Sequence, residues 1–319
     1  MIAKVDPARV VELELATIQE IERQLDNAAG PGHPASNVKP GTLSPKKAAI
    51  AAIDGHLFIS NGNNMWETQY LGGLTGLEDW TAKWVELLAR RSQTAAERSV
   101  QLFHFIIPEK QVVLAPIRWP ESPEDGSNRP IRYLQAKLPA DTILIYPEQA
   151  LRDGLATVPT HHRHDSHWNV SGCCLAIQPL LRSIIPQFDI GTVLLKARLE
   201  NGAHDLTRHF FVDPPSEEYL ALAPQGEIVM DNQHLEKTGK HIGNLYAIEN
   251  PAARDERKVI VFGDSYSYSQ GMTFVLSAVF KTVVFLWSKH IVWNFVTEQK
   301  ADIVIWESAE RYIVSVPGH

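Results

Sequence analysis

KVIVFGDSYSYSQG, residues 258–271, decides the fold class. Val259, Ile260, Val261 and Phe262 form an apolar run without polar alternation, the pattern of a strand covered on both faces, as in a parallel sheet. Gly263, Asp264 and Ser265 break that run just before an apolar segment begins. The serine therefore falls on a strand-to-helix turn at the carboxyl end of a strand, where α/β folds put their sites. Ser265 is a nucleophile candidate, although a Ser after an Asp at a helix start is equally read as a cap. Similar runs recur at 100–107, 142–146, 283–287 and 303–306, with helix-length segments between several of them, such as 78–98. That recurrence predicts an α/β sheet. Residues 192–199 and 209–212 alternate more openly and lead into a Pro- and Gly-containing stretch, which predicts a small antiparallel excursion at about 190–250.

A hydroxyl becomes a nucleophile only when a neighbouring base removes its proton, and backbone N–H groups at the helix start are the expected binders of the oxyanion. The segment THHRHDSHWNVSG, residues 160–172, packs four histidines with Asp165 and Trp168 into a polar stretch. His167 can take the serine proton and Asp165 can hold the imidazole in the right tautomer, so one short segment supplies both missing roles. His161 and His162 are read as ordinary surface or core histidines. A metal site built from these histidines and Asp165 is the rival, but their spacing matches no zinc pattern and no distant second ligand cluster accompanies them.

Five motifs in one order resemble the SGNH-hydrolase-like proteins of the alginate O-acetylation (AlgX/AlgJ) type. They are DGHLFIS (54–60), FIIPEKQVVLAP (105–116), RHDSHWNVSG (163–172), VFGDSYS (261–267) and ESAERY (307–312). The resemblance implies a three-layer SGNH-like (flavodoxin-like) parallel sheet with helices on both faces. It implies a serine-dependent O-acyltransferase, with Ser265 as nucleophile, His167 as general base and then acid, and Asp165 orienting His167. An acetyl donor and a saccharide or other hydroxylated metabolite would be its partners, and no cofactor is implied. An esterase of the same fold, or an inactive carbohydrate-binding relative, are the alternatives. The Asp–His segment precedes the serine, as in that family. His164 stands where Thr is common, and Tyr266 replaces the usual Phe.

Asp264, Tyr266, Trp168, Asn169, Arg163 and His164 are expected to bind substrate or support the triad. Trp168 is read either as a stacking face for a sugar or as a buried brace. Asp264 reads as a turn residue, Arg311 as the partner of a carboxylate, and Lys110 as an exposed lysine. Lys and Arg number 30 against 37 Asp and Glu, a net charge of −7, which argues against a basic nucleic-acid-binding face. Residues 7–28 predict an amphipathic helix and 29–45 a linker, giving an N-terminal extension (1–45) before a catalytic domain (46–319). The start of the sequence has no basic, apolar leader and no uncharged apolar run reaches bilayer length, so a cytoplasmic location is expected. Cys173 and Cys174 read as small buried residues.

Overall fold

The computed structural model describes residues 9–62, 64–118, 128–232 and 243–317. The chain runs β1 (Val11–Leu13), α1 (Leu15–Ala28), β2 (Ala49–Ala51), β3 (Leu57–Ile59), α2 (Trp66–Tyr70), α3 (Leu77–Glu97) and β4 (Gln101–Ile107). Next come α4 (Lys110–Arg118), α5 (Pro130–Gln135), β5 (Leu144–Ile145), α6 (Glu148–Gly154), α7 (Val170–Ile184), β6 (Leu195–Gly202) and α8 (Thr207–Phe210). They are followed by β7 (Glu217–Leu222), β8 (Glu227–Asp231), β9 (Leu245–Glu249) and β10 (Asp255–Gly263). After the serine come α9 (Ser265–Tyr268), α10 (Met272–Val279), β11 (Phe280–Trp287), α11 (Trp293–Gln299) and β12 (Ile303–Ala309).

The predicted apolar runs form the middle of a seven-stranded sheet in the order β5-β4-β12-β10-β11-β9-β8. Strands β5, β4, β12, β10 and β11 are parallel. Because side chains alternate across a strand, each run feeds two cores. Phe103, Phe105, Val259, Val261, Ile303 and Ile305 pack with Cys173, Ile177 and Leu180 of α7 and Val275 and Leu276 of α10. Their neighbours Ile106, Ile260, Phe262, Val304 and Trp306 pack with Trp84, Leu87 and Leu88 of α3 and Ile131 and Leu134 of α5. The result is three layers, as the α/β reading expects.

Four expectations about elements need correction, the first being 209–212, read as an open alternation, where the helix α8 (Thr207–Phe210) ends and no strand forms. Strands β8 and β9, inside the expected excursion, join the main sheet as its antiparallel edge, with β9 pairing β11. Of its described strands, β6 and β7 pair with β1 in a separate three-stranded antiparallel sheet, and β2 and β3 form a further antiparallel pair. Val11–Leu13, read as helix, is β1 and pairs with β6, so the helix begins at Leu15. The run at 142–146 keeps a ladder only at Leu144–Ile145. Residues 7–8 of the expected helix and 233–242 of the expected excursion lie outside the described residues. In the Pro-rich stretch after α1, Ala35 is fully buried in a third core with Ala49, Leu57 and Trp66.

Candidate active site

Strand β10 ends at Gly263, where a Cβ would lie 2.4 Å from Glu307 Oε2 and 2.8 Å from Ser267 Oγ. The glycine is set by that close approach. Glu307 Oε2 accepts from the Asp264 amide at 3.0 Å and from the Ser267 hydroxyl at 2.6 Å, which ties the turn to β12. Asp264 caps α9 by accepting the Tyr266 amide (3.0 Å), and its second oxygen accepts the Ala309 amide (2.9 Å). The turn reading of Asp264 therefore describes what its carboxylate does. Ser265 occupies the first helical position and is half-buried. The helix it opens is a single turn, and Gly271 (φ 89°) restarts the chain as α10.

The histidine segment lies between α6 and α7 and has almost no ladder of its own, apart from one bridge between His161 and Trp168. Side chains hold it instead. The Lys110 ammonium donates to the carbonyls of Leu57 (2.9 Å), His162 (2.7 Å), Arg163 (2.8 Å) and Asp165 (3.0 Å). Lys110 is thus buried, against the expectation of an exposed lysine, because it supplies donors to loop carbonyls of which only Arg163's is also met by a strand amide, that of Leu57. Burial pushes its ammonium down to about 7. At the far end Asn169 caps α7 through the Gly172 amide (2.8 Å) and donates to the Pro159 carbonyl (2.8 Å).

Between these anchors the chain turns so that His167 Nε2 lies 2.8 Å from Ser265 Oγ, while its Nδ1 lies 2.6 Å from Asp165 Oδ1. An ionised carboxylate only accepts, so Nδ1 carries the proton and Nε2 of the neutral ring is left to accept from the serine. Burial alone would lower the His167 value, but the Asp165 carboxylate outweighs it and leaves the ring more basic than usual. Burial would raise Asp165, yet the contacts with His167 and His204 hold it well below the carboxylate range.

The other expected residues divide by position. Tyr266 and Trp168 pack beside the histidine: Tyr266 stands edge-on to both rings at 4.7 Å and donates to the Ser166 carbonyl at 3.1 Å. Trp168 is 1% exposed and its indole donates to the Gln270 carbonyl at 2.8 Å, the geometry of a brace. Asn169 has both ends of its amide engaged within the loop and at the α7 start. Arg163 and His164 turn towards the N-terminal region. Arg163 pairs with Asp26 (2.6 Å) and donates to the Asp54 carbonyl, and His164 contacts Glu217 (2.9 Å) and Ser36 (2.9 Å). Arg311 pairs with buried Glu109 at 2.7 Å. His161 is buried and His162 half-buried at the edge of a cavity, and the surrounding protein pushes His162 down to about 3 by desolvation.

Sequence reasoning missed His204, Asp205 and Glu217. Asp205 accepts from the Ser166 amide (2.8 Å) and hydroxyl (2.6 Å), while His204 joins Asp165 to Glu217. All three come from segments separate from the histidine loop, and no local pattern marks them. Metal-type donors converge twice among the described residues, at His33–His164–Glu217 and Asp165–His167–Asp205. Their closest atoms stand 2.9 and 2.6 Å apart, as hydrogen-bonded pairs do, whereas two ligands of one tetrahedral zinc stand about 3.4 Å apart. Beside the site a cavity of about 460 Å³ opens between the antiparallel sheet and α9–α10, lined by Trp168, Tyr219, Tyr246, Tyr268, Arg198 and Glu200 among others. Ser265 and His167 do not line it, but their neighbours Trp168, Ser269 and Gln270 do.

The structure is similar to solved proteins over most of its length. Bacillus cereus PatB1, solved with a sulfonyl adduct, matches with a TM-score of 0.58 at 16% identity, over 84% of this chain and 96% of that one. The O-acetyltransferase domain of Pseudomonas putida AlgJ matches at 0.53 and 15%, over 85% and 94%. The fold is SGNH-like, of the AlgJ type. A DHHW family protein from Eubacterium siraeum matches at 0.54 and 15%, over 84% and 92%. Neither a protein-family model nor a curated protein matches the sequence. The family resemblance read from the five motifs thus holds at the level of the fold. Among the described residues, no helix is long and apolar enough to cross a membrane.

Proposed function

We propose that this protein is a serine-dependent O-acyltransferase that moves an acetyl group to a hydroxyl of a saccharide or similar polyhydroxylated acceptor. The observation that carries the reading is the unbroken hydrogen-bonded chain from Ser265 Oγ through His167 to Asp165, at 2.8 and 2.6 Å. In the first half-reaction Ser265 Oγ attacks the acetyl carbonyl while His167 Nε2 takes its proton. The tetrahedral adduct collapses, the donor's oxygen leaves with the proton from His167, and an acetyl-serine remains. In the second half-reaction the acceptor hydroxyl gives its proton to His167 and attacks the ester, and the proton returns to Ser265. Asp165 keeps its charge throughout and stabilises the imidazolium that forms twice.

The tyrosine-lined cavity next to Trp168 supports an acceptor with both apolar faces and hydroxyls, since aromatic rings cover the former and Arg198 and Glu200 meet the latter. The likeness to the AlgJ O-acetyltransferase domain agrees with transfer, and the sulfonyl adduct of PatB1 agrees with an activated hydroxyl, the group that sulfonyl reagents trap. A chromogenic acetyl ester tests the reading. Wild type turns it over, acquires a single acetyl or sulfonyl group on Ser265 by mass spectrometry, and releases product faster when a saccharide acceptor is added. Ser265→Ala lowers turnover by about 10⁴-fold or more and takes up neither group. An inactive wild type, or Ser265→Ala as active as wild type, defeats the proposal. Turnover that ignores every acceptor but water reassigns the protein as an esterase.

A further inference from the structure

Asp165 uses only one oxygen on His167. Its Oδ2 accepts from His204 Nδ1 at 3.0 Å and from the Asp205 amide at 3.2 Å. The other ring nitrogen of His204, Nε2, lies 2.8 Å from Glu217 Oε1. A ring wedged between two ionised carboxylates satisfies both only with a proton on each nitrogen, because the carboxylates can only accept. A neutral ring would turn one lone pair against an oxygen's lone pair at hydrogen-bond distance.

We propose that His204 is a positioning residue, held as an imidazolium between Asp165 and Glu217, which by offsetting the charge of Asp165 sets the pH at which His167 gains and loses its proton. A lone carboxylate beside His167 would hold the imidazolium strongly and make the ring a poor base near neutrality. With a cation on its far oxygen, Asp165 still fixes the tautomer of His167 but binds its charge less. The same two bonds stop the carboxylate from rotating away from His167 Nδ1.

The groups packed around the pair agree with this role. His204 lies in the loop between β6 and α8 and is 6% exposed. From the histidine loop it meets Asp165 and His162, the latter at 4.8 Å between ring centres and kept neutral by burial. From β7 it meets Glu217 and Tyr219, whose phenol is pushed up to about 12 by burial. From α1 it feels Glu22, which burial raises to about 8. Burial would lower His204 itself, but its bonds to Asp165 and Glu217 raise it to about 9, and Glu217 is held well below its ordinary value. His167 in turn faces Asp165, Asp205 Oδ2 at 3.9 Å, the positive charge of Arg311 and the edge of Tyr266.

The inference rests on the acyl-transfer reading for its kinetic readout only, so the test also follows the rings directly. In the full-length protein with ¹⁵N-labelled histidine, His204 keeps both ring protons to above pH 8 in wild type. Loss of its proton near the ordinary value of about 6.5 overturns the proposal. In His204→Gln the titration of His167 moves up by about one pH unit, and the acid limb of kcat/KM on the chromogenic ester moves with it. At the pH where wild type is half-active, that displacement costs several-fold in rate. An unmoved His167 titration overturns the proposal whatever the loss of rate. Glu217→Gln serves where His204→Gln does not fold: with one carboxylate gone, His204 sheds its proton at a lower pH, and an unchanged His204 titration also overturns the idea. A shifted His167 titration in a protein without ester turnover sustains the inference and defeats the acyl-transfer reading, and turnover with an unshifted titration does the reverse.

Discussion

Ser265 stands on a turn whose shape the parallel sheet dictates, whereas His167 rides a loop that has almost no ladder and is held by side chains. On the serine side, backbone amides of Asp264, Tyr266 and Ala309 are met by two acidic residues of the turn and of β12, and the end of the strand beneath is buried from Val259 to Gly263. On the histidine side, one ammonium collects four carbonyls, and carboxylates and imidazoles answer one another in series. The difference teaches where the candidate site is tunable. A sheet terminus fixes a position, while a chain of ionisable side chains fixes both a position and a proton affinity.

The harshest way to break that contrast is at Asp165. Asp165→Asn preserves the shape but presents an amide that favours the wrong His167 tautomer and removes the charge that His167 and His204 face, so kcat/KM on an acetyl ester falls by about 10⁴-fold and the unfolding midpoint at pH 7 falls with it. A variant within tenfold of wild type would show that His167 does not need its partner. Next comes Lys110→Met, which keeps the volume but takes a donor from four carbonyls, of which Arg163's retains the Leu57 amide. A loss of about 3 kcal/mol in urea unfolding is expected, with activity failing at lower denaturant than in wild type. If the variant unfolds like wild type, the loop is held by something other than the ammonium.

Gly263→Ala probes the opposite side. Its added methyl meets Glu307 Oε2 at 2.4 Å, and relief requires a shift in the turn, for a cost of about 1–3 kcal/mol by thermal or urea unfolding. An equal or greater stability would mean that β12 yields freely and the serine turn is softer than described. A last effect concerns pH and Glu22, whose carboxyl accepts the Val170 amide at 3.0 Å at the start of α7. Burial raises its value to about 8, so its contribution is fully present below the unfolded value of about 4.3 and is lost as pH rises towards 8. Glu22→Gln therefore gains stability relative to wild type between pH 5 and 8 and not at pH 4. Asp165 and Glu217 have lowered values and act with the opposite sign, since their contribution is present above about pH 4 and fades below it as they protonate. Melting curves across that range separate the two.

The sheet was legible because its strands are apolar on both faces, a pattern that few other contexts produce. Strands β8 and β9 fall inside the expected excursion because its bounds follow the open alternation at 192–199 and 209–212, although Leu245–Ile248 is itself an apolar run buried on both faces like those of the main sheet. Val11–Leu13 is too short for its period to be distinguished from the helix that follows. Ser265, His167 and Asp165 stood out because each lies in a dense local cluster of chemistry-bearing residues. His204 and Glu217 did not, since they reach Asp165 from the β6–β7 region of the chain. Lys110 was misread because the carbonyls that bury it belong to residues about 50 positions away on either side.

Helix α7 carries the thiols of Cys173 and Cys174, both fully buried and both made less acidic by burial, beneath the strands that support the site. Neither can meet an alkylating reagent while the helix is seated. The pair is a built-in clock: the rate of alkylation under native conditions counts how often α7 lifts from the sheet, and with it the end of the segment that bears His167.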